Sequence, residues 1–114
     1  FLAHAHSKAG QFEAARTLIG GIQSCNPDYW LVYYIKACYF SLRAASSQAQ
    51  NAKKERENDL NQALAVLEQA FKIPHPLNAS LAYAEQDPDL AALRTDRAEA
   101  FTALLNSFKP KQES

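Results

Sequence analysis

The sequence has 114 residues, 47% of them hydrophobic, and its 12 basic side chains balance 12 acidic ones to a formal net charge of zero. That length and composition fit one domain with one modest core. A neutral chain supplies no basic field for nucleic acid, and three Gly and five Pro are few for the tight turns of a β-sandwich. The longest apolar run, Tyr29 to Ile35, is too short to span a bilayer.

No secretory leader is visible, and the chain starts at Phe1, so the expectation is a fragment of a longer polypeptide. Cys25 and Cys38 stand 13 positions apart without a paired ligand motif. A disulfide framework or zinc site needs more ligands at closer spacing, so both cysteines are expected reduced, which points to the cytoplasm. Asn78-Ala79-Ser80 matches a glycosylation sequon, a pattern short enough to arise often by chance.

Asn26-Pro27-Asp28 places a capping side chain, a first-turn Pro and an acid in the order that suits a helix start. The segment after it, Tyr29 to Ile35, is rich in aromatic and β-branched residues that favour strands. It lacks period-two alternation, however, and Ala37 and Leu42 continue it at helical spacing, so a helix is expected. From Asp28 to Ile73 there is neither Gly nor Pro. One helix over that stretch would run about 70 Å, too long for a domain of this size, so the chain is expected to turn within the polar segment Ser46–Asn58.

Leu60, Leu64, Leu67 and Phe71 then line one apolar helical face. Asp87-Pro88-Asp89 repeats the helix-start chemistry seen at Asn26, and Asp96 with Glu99 reads as a capping box. The last helix carries Phe101, Leu104, Leu105 and Phe108 at offsets of zero, three, four and seven.

A longer period overlies these helices. Ala3 and Ala37 are 34 residues apart, as are His6 and Phe40, and 34 residues is the length of a tetratricopeptide helix–turn–helix unit. Gly10-Gln11-Phe12-Glu13-Ala14-Ala15 resembles the family's turn between two helices. Ala15 and Ile19 stand where the family has Ala-x3-Phe, and Pro27 stands where a unit closes. Tyr33, Lys36, Ala37 and Phe40 resemble the opening of a second unit, with Lys36 where Leu is usual. Ala63, Leu67, Ala70 and Phe71 resemble its second helix.

The small residues Ala3, Ala15 and Ala37 let helices cross closely, with Phe12 and Phe40 filling the space beside them. The interval from Ala37 to Ala63 exceeds the first unit's by fourteen residues, about two extra turns on each helix. An elongated hairpin with its tip near Ser46–Lys54 is therefore expected. Residues 87–105 resemble the closing segment of bacterial tetratricopeptide proteins, where a shortened helix precedes a capping helix.

The resemblance implies an all-α, tetratricopeptide-like solenoid fragment: a first unit over residues 1–27, an elongated second unit over 28–76, a degenerate closing unit over 77–108 and a tail over 109–114. Gly20-Gly21 falls inside the second helix, as a close contact, a kink or a tolerated weakness. Pro74-His75-Pro76 closes the second unit one residue out of register.

Catalytic chemistry is sparse, and no catalytic residue, metal ligand or cofactor is assigned. His4 and His6 point about 200° apart on a helix and do not converge on one metal. His75 has no sequence-local carboxylate or Cys beside it, and a buried structural Cys is the expectation for Cys38. No phosphate-cradling loop or nucleophile elbow occurs. Lys53-Lys54-Glu55-Arg56-Glu57 reads as a solvated helix face with internal pairs.

Mapped residue by residue, the family's concave groove carries His4, Ser7 and Lys8 from the first unit and Leu31, Tyr34, Cys38 and Ser41 from the second. Chaperone-binding members grip a C-terminal carboxylate with Lys, Arg and Asn. His4 stands where the first Asn would be, which favours an apolar or aromatic groove instead, with Tyr34 as anchor. The functional expectation is a module that binds a protein or peptide, not an enzyme. The alternative is a structural cap of a longer array in which Tyr34 and Trp30 simply pack against the next helix. Self-association through an apolar edge around Phe1 and Leu2 is a further expectation.

Overall fold

The apolar spacing resolves into helices: α1 (Leu2–Lys8), α2 (Phe12–Cys25), α3 (Trp30–Ala45), α4 (Lys53–Lys72), α5 (Leu77–Gln86), a 3-10 turn (Pro88–Leu90), α6 (Ala91–Asp96) and α7 (Ala98–Phe108). The computed structural model describes residues 2–8, 10–46 and 53–109, without the side chains of Leu2, Ala3 and Lys8, and no strand occurs among the described residues. The chain is therefore all-helical.

Gly10 makes the first turn possible. Its φ of +79° is a left-handed value that costs an L side chain strain, and the turn closes with Gln11 N–H donating to the His6 carbonyl at 2.8 Å. The helix pair α1 and α2 then lies against α3 through a small apolar cluster of Ala15, Ile19, Ile35 and Tyr39. Phe12 meets Tyr39 edge-on, with ring centroids 6.0 Å apart. Gly20 and Gly21 have nothing within 4 Å of where a Cβ would stand, so they serve no close helix contact. Their presence is a tolerated weakness of α2.

The strand-like aromatic run begins α3, because that helix is covered on more than one side and buries Val32, Tyr34, Ile35, Ala37, Cys38, Tyr39 and Ala44. Packing thus overrides local preference. The start of α3 differs from the sequence expectation: Asn26 does not cap it. Its backbone N–H and its side-chain amide both turn back to the Ile22 carbonyl, so it ends α2, and α3 starts at Trp30 with no side-chain cap.

α3 and α4 form the central hairpin, and most of the core lies on their shared side, with Leu60, Ala63, Leu67, Ala70 and Phe71 from α4. The zero-exposure alanines Ala37, Ala63 and Ala70 allow the two helices to approach closely. At one end of the hairpin the buried Asp59 carboxylate receives two bonds from Arg43, at 3.0 Å from Nε and 2.8 Å from Nη2. At the other end Trp30 stacks on His75, centroids 4.2 Å apart. The helices are therefore antiparallel. The expected break falls between Ala45 and Lys53, and the proposed tip itself lies outside the described residues.

The N-terminal end of α4 is tied down rather than solvated throughout. Lys53, Lys54, Glu55 and Glu57 are exposed, but Arg56 is half-buried, donates to the Ala44 carbonyl and pairs with Asp96. That pair also replaces the expected capping box: Asp96 ends α6, and α7 starts at Ala98 with no side-chain cap. The last three helices close over the hairpin. Leu81, Ala84, Leu90, Leu93, Phe101 and Leu105 complete the main core, and Phe71 meets Phe108 edge-on at 5.5 Å. The shortest dimension, 19 Å, is that of two helix layers.

Candidate functional site

About a third of a turn around α3 from its α2 contact, Tyr34, Cys38 and Ser41 stand at offsets of zero, four and seven, which brings them into one line along the helix. α1 adds His4 and Ser7 at the same one-turn spacing. This is the surface that the tetratricopeptide resemblance assigns to a partner.

Residues 87–90 of the chain itself cover it. Asp87 caps the 3-10 turn, its Oδ1 accepting the Asp89 N–H at 2.9 Å, as its sequence context predicts. Its other oxygen, Oδ2, accepts the Tyr34 hydroxyl at 2.9 Å and faces the Cys38 thiol at 3.9 Å. His4 Nε2 lies 2.8 Å from Asp89 Oδ2. Leu90, with no exposed surface, presses into the apolar side of the same region.

The expected groove residues are consequently placed as follows. Ser7, Tyr34, Cys38 and Ser41 are buried, His4 and Leu31 are half-buried, and the Lys8 side chain lies outside the described residues. Tyr34 is 5% exposed and Cys38 and Ser41 are each 1% exposed, so none of the three presents a surface to an incoming chain. The physical reason is the Asp-Pro-Asp turn, which inserts two carboxylates where polar groups of α1 and α3 need partners. Ser41 Oγ and His4 Nδ1 stay buried with no hydrogen-bond partner.

Electrostatics in this buried cluster are set by burial first and by the aspartates second. Burial, first, and then Asp87 and Asp89 push the Cys38 thiol well above its usual range. Burial, with Cys38 and Asp87 beside it, likewise raises the Tyr34 phenol. Both groups are neutral donors at physiological pH. Cys38 is therefore a poor nucleophile as it stands.

A row of aromatic rings runs outward from this buried cluster. His75 stacks on Trp30, Trp30 meets Tyr34 edge-on at 6.1 Å, and Tyr34 leads to Tyr83 at 6.3 Å. The His75 ring is fixed by Nδ1 donating to the Ile73 carbonyl and by Nε2 lying 2.8 Å from Ser80 Oγ. Ser80, the last residue of the sequon, is thereby buried within α5. Tyr83 ends the row at the surface, 62% exposed, and Tyr29 is 42% exposed beside Trp30.

Asp87, Asp89 and Tyr83 carry no mark in the sequence as members of this site. The Asp-Pro-Asp motif signals a turn, and nothing local says that the turn docks on a helix some 50 residues earlier. His4 and His6 do diverge: His6 turns to Gln11 while His4 faces Asp89.

Comparison with known proteins gives no match: no family model fits the chain, and no curated protein or solved structure resembles it significantly.

Proposed function

We propose that the chain is a binding module that holds a protein or peptide partner through the exposed end of its aromatic row, in a tetratricopeptide-like arrangement of helical hairpins. The observation that carries this reading is Tyr83, a large aromatic side chain left mostly exposed beside the buried Tyr34. Rigid aromatic rings backed by a packed core lose little entropy on contact and supply most of the energy in many interfaces. A neutral chain with no Lys/Arg/Asn clamp favours an apolar or aromatic segment as the partner over an acidic tail.

Tyr83 takes the anchor role expected of Tyr34 from the sequence, because Tyr34 is committed to Asp87. A second reading, a structural cap with no ligand of its own, is favoured by the same docked turn, which fills the inner face as a terminal unit would.

The two readings separate in an affinity capture from source-cell lysate with wild type, Tyr83→Ala and Tyr34→Phe. The binding module predicts a partner retained by wild type and Tyr34→Phe and weakened about 30-fold or more by Tyr83→Ala, the loss of a hot-spot residue. A partner kept equally by all three places the binding surface away from Tyr83, and no partner at all favours the cap.

A further inference from the structure

His4, Cys38 and Asp89 come from three segments distant in sequence, α1, α3 and the 3-10 turn, and each offers a metal-ligating atom. These three atoms lie within 4.8 Å of one another. Ligands around a tetrahedral zinc, with bonds of about 2.0–2.3 Å, stand about 3.3–3.6 Å apart. The widest pair needs to close by up to about 1.5 Å to hold one ion, and the imidazole and carboxylate, now at 2.8 Å, need to open by about half an ångström.

We propose that this cluster is a zinc site with His4 Nε2, the Cys38 thiolate and the Asp89 carboxylate as protein ligands. The donor set selects the metal: a thiolate with an imidazole suits zinc, whereas magnesium and calcium take oxygen ligands throughout. The cluster is buried on two sides, with Asp87 Oδ2 3.9 Å from the Cys38 thiol and Asp89 Oδ2 2.8 Å from His4 Nε2.

On binding, a sulfur–metal bond replaces the Cys38 S–H bond, the proton that His4 Nε2 shares with Asp89 moves to Nδ1 to free the Nε2 lone pair, and one proton in all leaves to solvent. A dication beside the sulfur stabilises the thiolate over the thiol. Asp87, held by Tyr34 and by the Asp89 N–H, positions the turn from which Asp89 reaches in. A fourth position remains for water. The consequence is structural, since one ion would pin the first hairpin and the closing turn to the central helix at the same time.

The test is a titration of the full chain, stripped with chelator, first with Co2+ as a spectroscopic substitute and then with Zn2+. Wild type is expected to bind one Co2+ per chain with a thiolate-to-cobalt charge-transfer band, bleached by Zn2+. Cys25→Ser keeps that band, and Cys38→Ser loses it. His4→Gln and Asp89→Asn weaken binding by about 10–100-fold while leaving a folded chain in which the loss is measurable even if Cys38→Ser does not fold. Zinc at 100 times its Kd is expected to raise Tm by about 10 °C. Absence of the band in wild type, a band that survives Cys38→Ser, or unchanged affinity in both His4→Gln and Asp89→Asn overturns the site.

Discussion

Leu90→Ala is the most informative single substitution for the closing turn. Leu90 has no exposed surface and sits in the main core, with the 3-10 turn packed directly on α3. Truncation to Ala removes three carbon atoms of buried side chain, about 2.4 kcal/mol at roughly 0.8 kcal/mol for each. The cavity left among Leu93, Tyr34 and their neighbours adds to that, because a turn anchored by Asp87 at Tyr34 relaxes only partly. The expected cost is about 3 kcal/mol, within the roughly 2–5 kcal/mol typical of such changes. Against a domain stability of about 5–15 kcal/mol this is a large fraction, and it corresponds to a fall in Tm of about 10–20 °C. Urea unfolding followed by circular dichroism measures it, with Tyr83→Ala as a surface control within about 0.5 kcal/mol of wild type. A loss below about 1 kcal/mol for Leu90→Ala, at unchanged m-value, would refute the docking of residues 87–90 on the helical hairpins.

Asp59→Ala should destabilise by about 2 kcal/mol in the same assay. It leaves Arg43 without its two-pronged partner, but that guanidinium is partly exposed and recovers water, which keeps the loss below the roughly 3–5 kcal/mol of a fully buried pair. Gly20→Ala and Gly21→Ala should each stabilise by about 0.5–1 kcal/mol, since both sites are helical and open; destabilisation of either would show a contact that the packing around α2 does not contain. In metal-free native protein a thiol reagent should label the exposed Cys25 quickly and Cys38 only as fast as the chain opens. Equal rates would contradict the burial of Cys38.

Much of the helical framework is readable from apolar spacing. The faces Leu60–Phe71 and Phe101–Phe108 and the break after Ala45 all follow from residues that must share one side of a helix. Gly10 marks its turn because few other residues accept its backbone angle. Helix starts are less legible, since a capping residue has competing partners. Asn26 folds back onto α2, and Asp96 is drawn to Arg56 instead of to the backbone of α7. Only Asp87 caps as its motif predicts. The candidate site is the least legible part. His4, Cys38 and Asp89 meet only when two hairpins and a turn have docked, and local spacing carries no information on that meeting. The aromatic row is similar: Trp30 and Tyr34 declare themselves as helix neighbours, but His75 and Tyr83 join them through tertiary packing alone.

The closing segment, residues 87–90, covers Tyr34 and Cys38 of α3 and leaves Tyr83 exposed at the end of the aromatic row. Proton–proton nuclear Overhauser contacts in solution test this most directly. Cross-peaks from the Tyr34 ring and the Cys38 β-protons to Asp87 and Leu90 are the predicted result, alongside those joining Tyr34 to Tyr83. A spectrum in which contacts between α3 and α4 are intact but none link α3 to residues 87–90 would contradict it.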